Sequence, residues 1–221
     1  MWAAGPAPRA PAGGRPGALR LGFTLARGMR VGLYGGSFNP AHDGHLHVAE
    51  TARRRLGLDR VIWLVSPQNP LKARQDTASL DDRVAGVQAL IKGRGHGMIV
   101  SRAETQLGSA YTIDTLRGLK ARFPGVKFVW IMGADSLASF HRWKGWTQIM
   151  REAPVAVVSR PWISLKSRFS PAAQRFARFR RPSRSAIRLA DATPPAWVFL
   201  FGRFNYQSST VLRARRGLPA A

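Results

Sequence analysis

Residues 31–47 read VGLYGGSFNPAHDGHLH, an apolar run halted at Gly35-Gly36, then a polar loop, then a segment with helical spacing. Val31–Tyr34 suits a buried strand. The glycine pair lets backbone come close to whatever binds above that strand's carboxyl end. Ser37 to Asp43 makes a tight loop, and Gly44 and His45 open a helix whose first N–H groups suit an anion. His42 and His45 stand one helical turn apart, so both imidazoles can donate to a polyphosphate whose charge grows during transfer. Two other readings compete. A His-x-x-His metal pair has no acid or third ligand beside it. Two structural histidines in an apolar setting would not need Gly-Gly, Asn39-Pro40 and Gly44 around them. His47 is read as a surface residue.

Outward from this loop, short apolar runs alternate with amphipathic stretches, the pattern of a parallel α/β sheet. Expected strands are Arg30–Tyr34, Val61–Val65, Met98–Ser101, Lys127–Met132, Val155–Ser159 and Trp197–Phe201. Expected helices are Asp43–Leu56, with Leu46, Ala49 and Ala52 on one side, a second beginning at Ser79, Thr112–Phe123, and a short last one at Ser208–Arg215. Asp81 and Asp82 fall in the first turn after Ser79, where carboxylates suit the helix dipole. The proline-rich stretch Pro161–Pro195 should hold one basic helix around Ser170–Arg180 but too few apolar residues for a second core. The expected fold is therefore α/β, a Rossmann-like open parallel sheet with helices on both faces, in one domain over 29–221. No Walker phosphate loop occurs, and Gly93–Gly97 reads as a turn before a strand.

The chain has 221 residues, 45% of them hydrophobic, enough for one buried α/β core. With Cys 0, disulfides, thiolate metal sites and thiol nucleophiles are excluded. No run approaches the roughly 20 apolar residues that span a bilayer, and a cytoplasmic location is expected. Residues 1–28 are rich in Ala, Gly and Pro and lack a secretory apolar run. They read as a disordered leader or an upstream start misassigned in the gene. The formal charge of +24 attracts polyanions: nucleic acid, anionic membrane or nucleoside triphosphate. Much of it lies between Arg160 and Arg188, which hold nine basic residues and no acid. High Arg, Ala and Gly are also what a GC-rich genome encodes.

GGSFNPAHDGH resembles the GGxFxPxHxGH signature of the nicotinate-nucleotide adenylyltransferase family, in the HxGH nucleotidyltransferase superfamily on a Rossmann-like domain. HxGH alone is shared with cytidylyltransferases, pantetheine-phosphate adenylyltransferase and class I aminoacyl-tRNA synthetases; the longer string is more specific. Four more stretches are similar to the same family: Asn69-Pro70-Leu71-Lys72, Tyr111–Leu116 (YTIDTL), Met132–Trp146 (MGADSLASFHRWKGW) and Ser208–Arg213 (SSTVLR). The resemblance implies ATP binding by Gly35, Gly36, Ser37, Phe38, Asn39, His42, His45, Gly133, Asp135, Ser208, Ser209, Thr210 and Arg213. His42, His45 and Arg213 carry catalysis. Lys72, Tyr111, Thr112 and Trp143 take the pyridine mononucleotide, Trp143 by stacking on its ring. Thr112 could equally be a plain N-cap, Lys72 a solvated loop lysine, and Ser208 the cap of a terminal helix. Trp146 is read as packing. Many members carry Tyr after the equivalent of Trp143; here it is Lys144, a change that matters little if backbone N–H groups hold the carboxylate but that leaves nicotinate over nicotinamide less firmly implied.

The implied reaction transfers AMP from ATP to nicotinate mononucleotide, with Mg²⁺ arriving on ATP and no dedicated metal site. The rival acceptors are nicotinamide mononucleotide and phosphopantetheine, or an alcohol phosphate with CTP. A basic nucleic-acid-binding protein is the rival of another class, suggested by Phe169, Phe176 and Phe179 among arginines, although near-helical spacing also suits a buried face. No specific nucleic-acid or membrane partner is expected, and the sequence sets no oligomeric state.

Overall fold

The computed structural model describes residues 19, 21, 23–67, 78–109, 111–159 and 167–201. Lys72, Ser208, Ser209, Thr210 and Arg213, together with the expected helix Ser208–Arg215, lie outside the described residues.

The described strands are β1 (Arg30–Gly36), β2 (Arg60–Val65), β3 (Met98–Ser101), β4 (Lys127–Gly133), β5 (Val155–Val158), β6 (Arg180–Arg181) and β7 (Trp197–Leu200). They form one seven-stranded sheet in the order β3-β2-β1-β4-β5-β7-β6, and every pairing is parallel. Helices are α1 (Asp43–Leu56), α2 (Leu80–Ile91), α3 (Ala103–Gln106), α4 (Thr112–Arg122), α5 (Ala134–Ser139), α6 (Trp146–Glu152) and α7 (Pro171–Arg175). The open parallel α/β sheet expected from the alternating pattern is what the chain forms.

Period-two alternation explains both faces. Val31 and Leu33, Ile62 and Leu64, Phe128 and Trp130, Val155 and Val157, and Trp197 and Phe199 point into one core with residues of α4, α5, α6 and α7. Their neighbours Val61, Trp63, Val129, Ile131, Ala156, Val158, Val198 and Leu200 point into the other, against Leu46, Ala49, Ala52 and Leu56 of α1. Both faces are covered, so the strands read as continuous apolar runs.

The helices end where their caps place them. Ser79 accepts a hydrogen bond from the Asp82 N–H at 3.1 Å to start α2. Gly57 stops α1 at φ 60, a left-handed position glycine adopts without a Cβ penalty. Asp43 in the first turn and Arg53, Arg54 and Arg55 in the last complement the α1 dipole.

Four expectations need correction. Strand β1 continues through the glycine pair, since Gly35 and Gly36 stay in register with Leu64 and Val65. The boundary at Met29 is too late: Leu21 is buried in the first core, and Phe23 and Leu25 pack against it. The basic helix breaks after Arg175, passing through a 3₁₀ turn at Ala177–Phe179 into the short strand β6, because Arg180 and Arg181 pair with Trp197 and Val198. Of its phenylalanines, Phe176 is buried, Phe179 is partly buried and Phe169 is exposed. His47 is half-buried rather than a surface residue.

Candidate active site

The strand order places β2 and β3 on one side of β1 and β4 on the other. The carboxyl ends of β1 and β4 therefore flank the topological switch point, where an open α/β sheet leaves a crevice. Both sequence strings that resemble nucleotide-binding motifs arrive there: Gly35–His45 leaves β1, and Gly133–Asp135 leaves β4.

The first loop is anchored from within. Phe38 is buried, its ring 5.3 Å from Tyr34, 5.0 Å from Trp63 and 5.2 Å from His45, centroid to centroid. It holds φ 47, a left-handed conformation that costs a bulky residue about 1–3 kcal/mol and persists only where surrounding packing enforces it. The ring thus serves as the loop's anchor.

His42 is the N-cap of α1, and its Nδ1 accepts the Gly44 N–H at 3.0 Å. His45 reaches back, its Nδ1 accepting the His42 N–H at 3.3 Å. The two rings lie 3.9 Å apart, tilted by 35°. An Nδ1 that accepts carries no proton, so a neutral ring in either position holds its proton on Nε2. The pair is not equivalent: His42 is 4% exposed, whereas His45 is half-buried. Asp43, between them in sequence, forms an ion pair with Arg94 at 2.8 Å. Among the described residues no group of three or more His, Cys, Asp or Glu could hold a metal ion.

Sequence reasoning missed Arg83. It is 3% exposed, and its guanidinium donates to the carbonyls of Ser37 (2.9 Å), Ser66 (2.7 Å), Pro67 (3.0 Å) and Ala78 (3.0 Å). One side chain thus ties the histidine loop to both ends of the connection from β2 to α2, which carries Lys72. Burial lowers the Arg83 pKa. The signal was legible: with Leu80, Val84 and Val87 on the inner stripe of α2, an arginine at 83 falls on the apolar side and needs buried acceptors.

Glu104 was missed as well. It is buried at the start of α3, where desolvation pushes its carboxyl up to about 7 against the opposing hydrogen bond from Ser66. Ser66 in turn donates its backbone N–H to the Gly36 carbonyl at 3.0 Å.

The acceptor side is built on aromatic contacts. Trp143 is partly buried, meeting Phe140 at 5.3 Å and Trp130 at 6.4 Å edge to face. Trp146 packs against Phe140 and Phe176. Lys144 Nζ stands 4.1 Å above the Tyr111 ring, a cation–π contact that brings the YTIDTL loop to the tryptophan loop. Tyr111, not Thr112, is the N-cap of α4, and no side chain caps that helix. Thr112 is the first helical residue, which excludes the plain N-cap reading. Trp130 joins the two halves. A Cβ on Gly35 would lie 2.5 Å from its ring, so the glycine makes room for Trp130, which touches Trp143 beyond. Close approach of a ligand had been the expected reason. Gly133 caps α5 with extended backbone, and Asp135 is exposed in its first turn.

Comparison with known proteins identifies the family and the fold. Residues 33–214 match the cytidylyltransferase-like family. A Caulobacter sp. (strain K31) protein named "Probable nicotinate-nucleotide adenylyltransferase" is 71% identical over 188 residues, covering 85% of this chain and 98% of its own. A protein of the same name from Methylorubrum extorquens is 54% identical over 187 residues, covering 85% of this chain and 100% of its own. The fold also matches the Plasmodium falciparum nicotinic acid mononucleotide adenylyltransferase complexed with NaAD, at TM-score 0.63 and 15% identity over 84% of this chain and 83% of that one. The chain belongs to the nicotinate-nucleotide adenylyltransferases, within the cytidylyltransferase-like family.

Proposed function

We propose that this chain transfers the adenylyl group of ATP to nicotinate mononucleotide, giving deamido-NAD and pyrophosphate. A 5′-phosphate oxygen of the mononucleotide attacks the α-phosphorus of ATP. The new P–O bond forms as the bond from that phosphorus to the α,β-bridging oxygen breaks, and the oxygen leaves with pyrophosphate. The nucleophile is already anionic, so the protein's work is positioning and charge stabilisation rather than proton removal.

The observation that carries this reading is the histidine pair: each ring commits Nδ1 to a backbone N–H at the head of α1, which puts the proton of a neutral ring on Nε2. Neutral donors fixed before substrate arrives need no reorganisation as phosphate charge grows. Asp135 accepts from the adenosine ribose, and Trp143 stacks on the pyridine ring. Lys144, a departure from the family's Tyr that leaves the acceptor preference less firmly implied by sequence, stands 4.1 Å from the Tyr111 ring beside the Trp143 loop; a cation there favours the nicotinate carboxylate over the neutral amide. Lys72 meets the mononucleotide phosphate, and Ser208, Ser209, Thr210 and Arg213 hold the departing pyrophosphate. MgATP is the substrate form, its ion held by the phosphates and water. The activity is assigned to the cytoplasm.

Steady-state pyrophosphate release with ATP against a panel of nicotinate mononucleotide, its amide and phosphopantetheine tests the reading. Highest kcat/KM is expected for nicotinate mononucleotide. Trp143→Ala should raise KM for that acceptor with KM for ATP little changed; equal losses on both sides, or preference for phosphopantetheine, would overturn the assignment.

A further inference from the structure

The basic segment is not absorbed by the reaction. Arg175 and Arg178 from that segment and Arg151 at the end of α6 line one cavity of about 550 Å³, within the size range of small-molecule sites. Phe176 and Phe179 with Pro194 and Pro195 form the rest of its wall. This cavity lies at the opposite end of the sheet from the histidine loop. Arg151 comes just before β5, and Pro194-Pro195 just before β7, so the cavity sits at the amino edge of parallel strands whose carboxyl edge carries the candidate active site.

Its charge is unbalanced. Among the described residues none of the three guanidiniums has a carboxylate partner. The nearby acids are already engaged: Glu152 pairs with Arg117 and Lys120, and Asp191 with Arg30 and Lys127.

Two of the arginines are also held in place. The Arg178 guanidinium stacks 4.7 Å from the Phe179 centroid, and that of Arg175 lies 5.9 Å from Trp146. A guanidinium stacked on a ring keeps its N–H edge available for bidentate contact with phosphate and loses less freedom on binding. Several cations around an aromatic and proline wall fit a ligand combining several negative charges with a flat apolar ring. The size of the cavity favours a small molecule over a strand of nucleic acid.

We propose that this amino-edge cavity is a second anion site, taking a nucleoside di- or triphosphate with its phosphates on Arg151, Arg175 and Arg178 and its base against Phe179 and the prolines. The site is separate from the adenylyl-transfer reading and stands or falls independently of it.

Calorimetric titration of the full chain with ADP tests this. Two classes of binding are expected in the unaltered protein. The triple substitution Arg151→Ser, Arg175→Ser and Arg178→Ser should abolish one class or weaken it about tenfold, with turnover at low ATP unchanged. Substitution His45→Ala should leave that class intact. These side chains are exposed, so the triple variant should melt like the parent. A single class of ADP site that survives the triple substitution would overturn the proposal. So would a single-stranded oligonucleotide that binds this edge more tightly than ADP and is lost in the triple variant, which would assign the patch to nucleic acid.

Discussion

Replacing Arg83 by Met keeps its aliphatic stem and deletes only the guanidinium. Four backbone carbonyls, of Ser37, Ser66, Pro67 and Ala78, then lose their donor in a site that is 3% exposed. A charge-assisted hydrogen bond contributes about 1.5–3 kcal/mol net, and the contributions within one network do not add. Leaving a buried acceptor without its donor costs about 1–3 kcal/mol, and with partial relaxation of four clustered carbonyls the expected loss in urea unfolding is about 3–5 kcal/mol. In a domain of this size that lowers Tm by about 6–20 °C. Function should fall separately from stability. Ser37 belongs to the histidine loop and the other acceptors bracket the Lys72 connection, so KM should rise for both substrates even below the melting range. Arg83→Lys restores the charge but not the planar fork that spans the carbonyls, and should recover only part of either quantity. If Arg83→Met unfolds within about 1 kcal/mol of the parent, near the scatter of ordinary surface substitutions, with both KM values unchanged, the clasp has no such role.

Four further substitutions probe the site. His45→Ala should lower kcat by about 10²–10³, as for loss of one preorganised donor. His42→Ala should add an N-cap loss of about 1 kcal/mol in stability; near-normal turnover in His45→Ala would remove that ring from the chemistry. Gly35→Ala forces a Cβ to within 2.5 Å of the Trp130 ring. Because Trp130 touches Trp143, KM for the mononucleotide should rise more than KM for ATP, read by steady-state kinetics. Glu104 has its pKa raised from 4.5 to about 7, so the folded state favours the protonated carboxyl. The stability it contributes is full below pH 4.5 and is lost as pH rises to about 7, a change of about 3 kcal/mol. Glu104→Gln should flatten the urea-unfolding free energy across that window, and an unchanged pH slope would refute it.

Strand positions and the sheet's two covered faces were legible because apolar alternation and turn residues agree at each strand. Helices α1 and α2 were legible from Ser79, the paired aspartates and the loop around His42. The extent of β1 was not, because Gly35-Gly36 reads as a turn signal and its pairing with β2 depends on tertiary context. The break after Arg175 was hidden for a related reason. Nothing local distinguishes a basic helix from a 3₁₀ turn feeding an edge strand; the pairing of Arg180 with Trp197 decides it. At the site, the motif letters located the histidines but not what fixes their tautomer, since the partners are backbone N–H groups. Arg83 and Glu104 lie outside those motifs; the apolar stripe of α2 marks Arg83 as needing buried acceptors, but which carbonyls it clasps, and the burial of Glu104, emerge only when the loops meet at one sheet edge.

The central claim is a reaction, and its products decide it most directly. Purified protein incubated with ATP and nicotinate mononucleotide should yield deamido-NAD and pyrophosphate in equal amounts, measured by chromatography with mass detection, and His45→Ala should form both far more slowly. Pyrophosphate without a dinucleotide, or a dinucleotide formed only from another acceptor, would contradict the account.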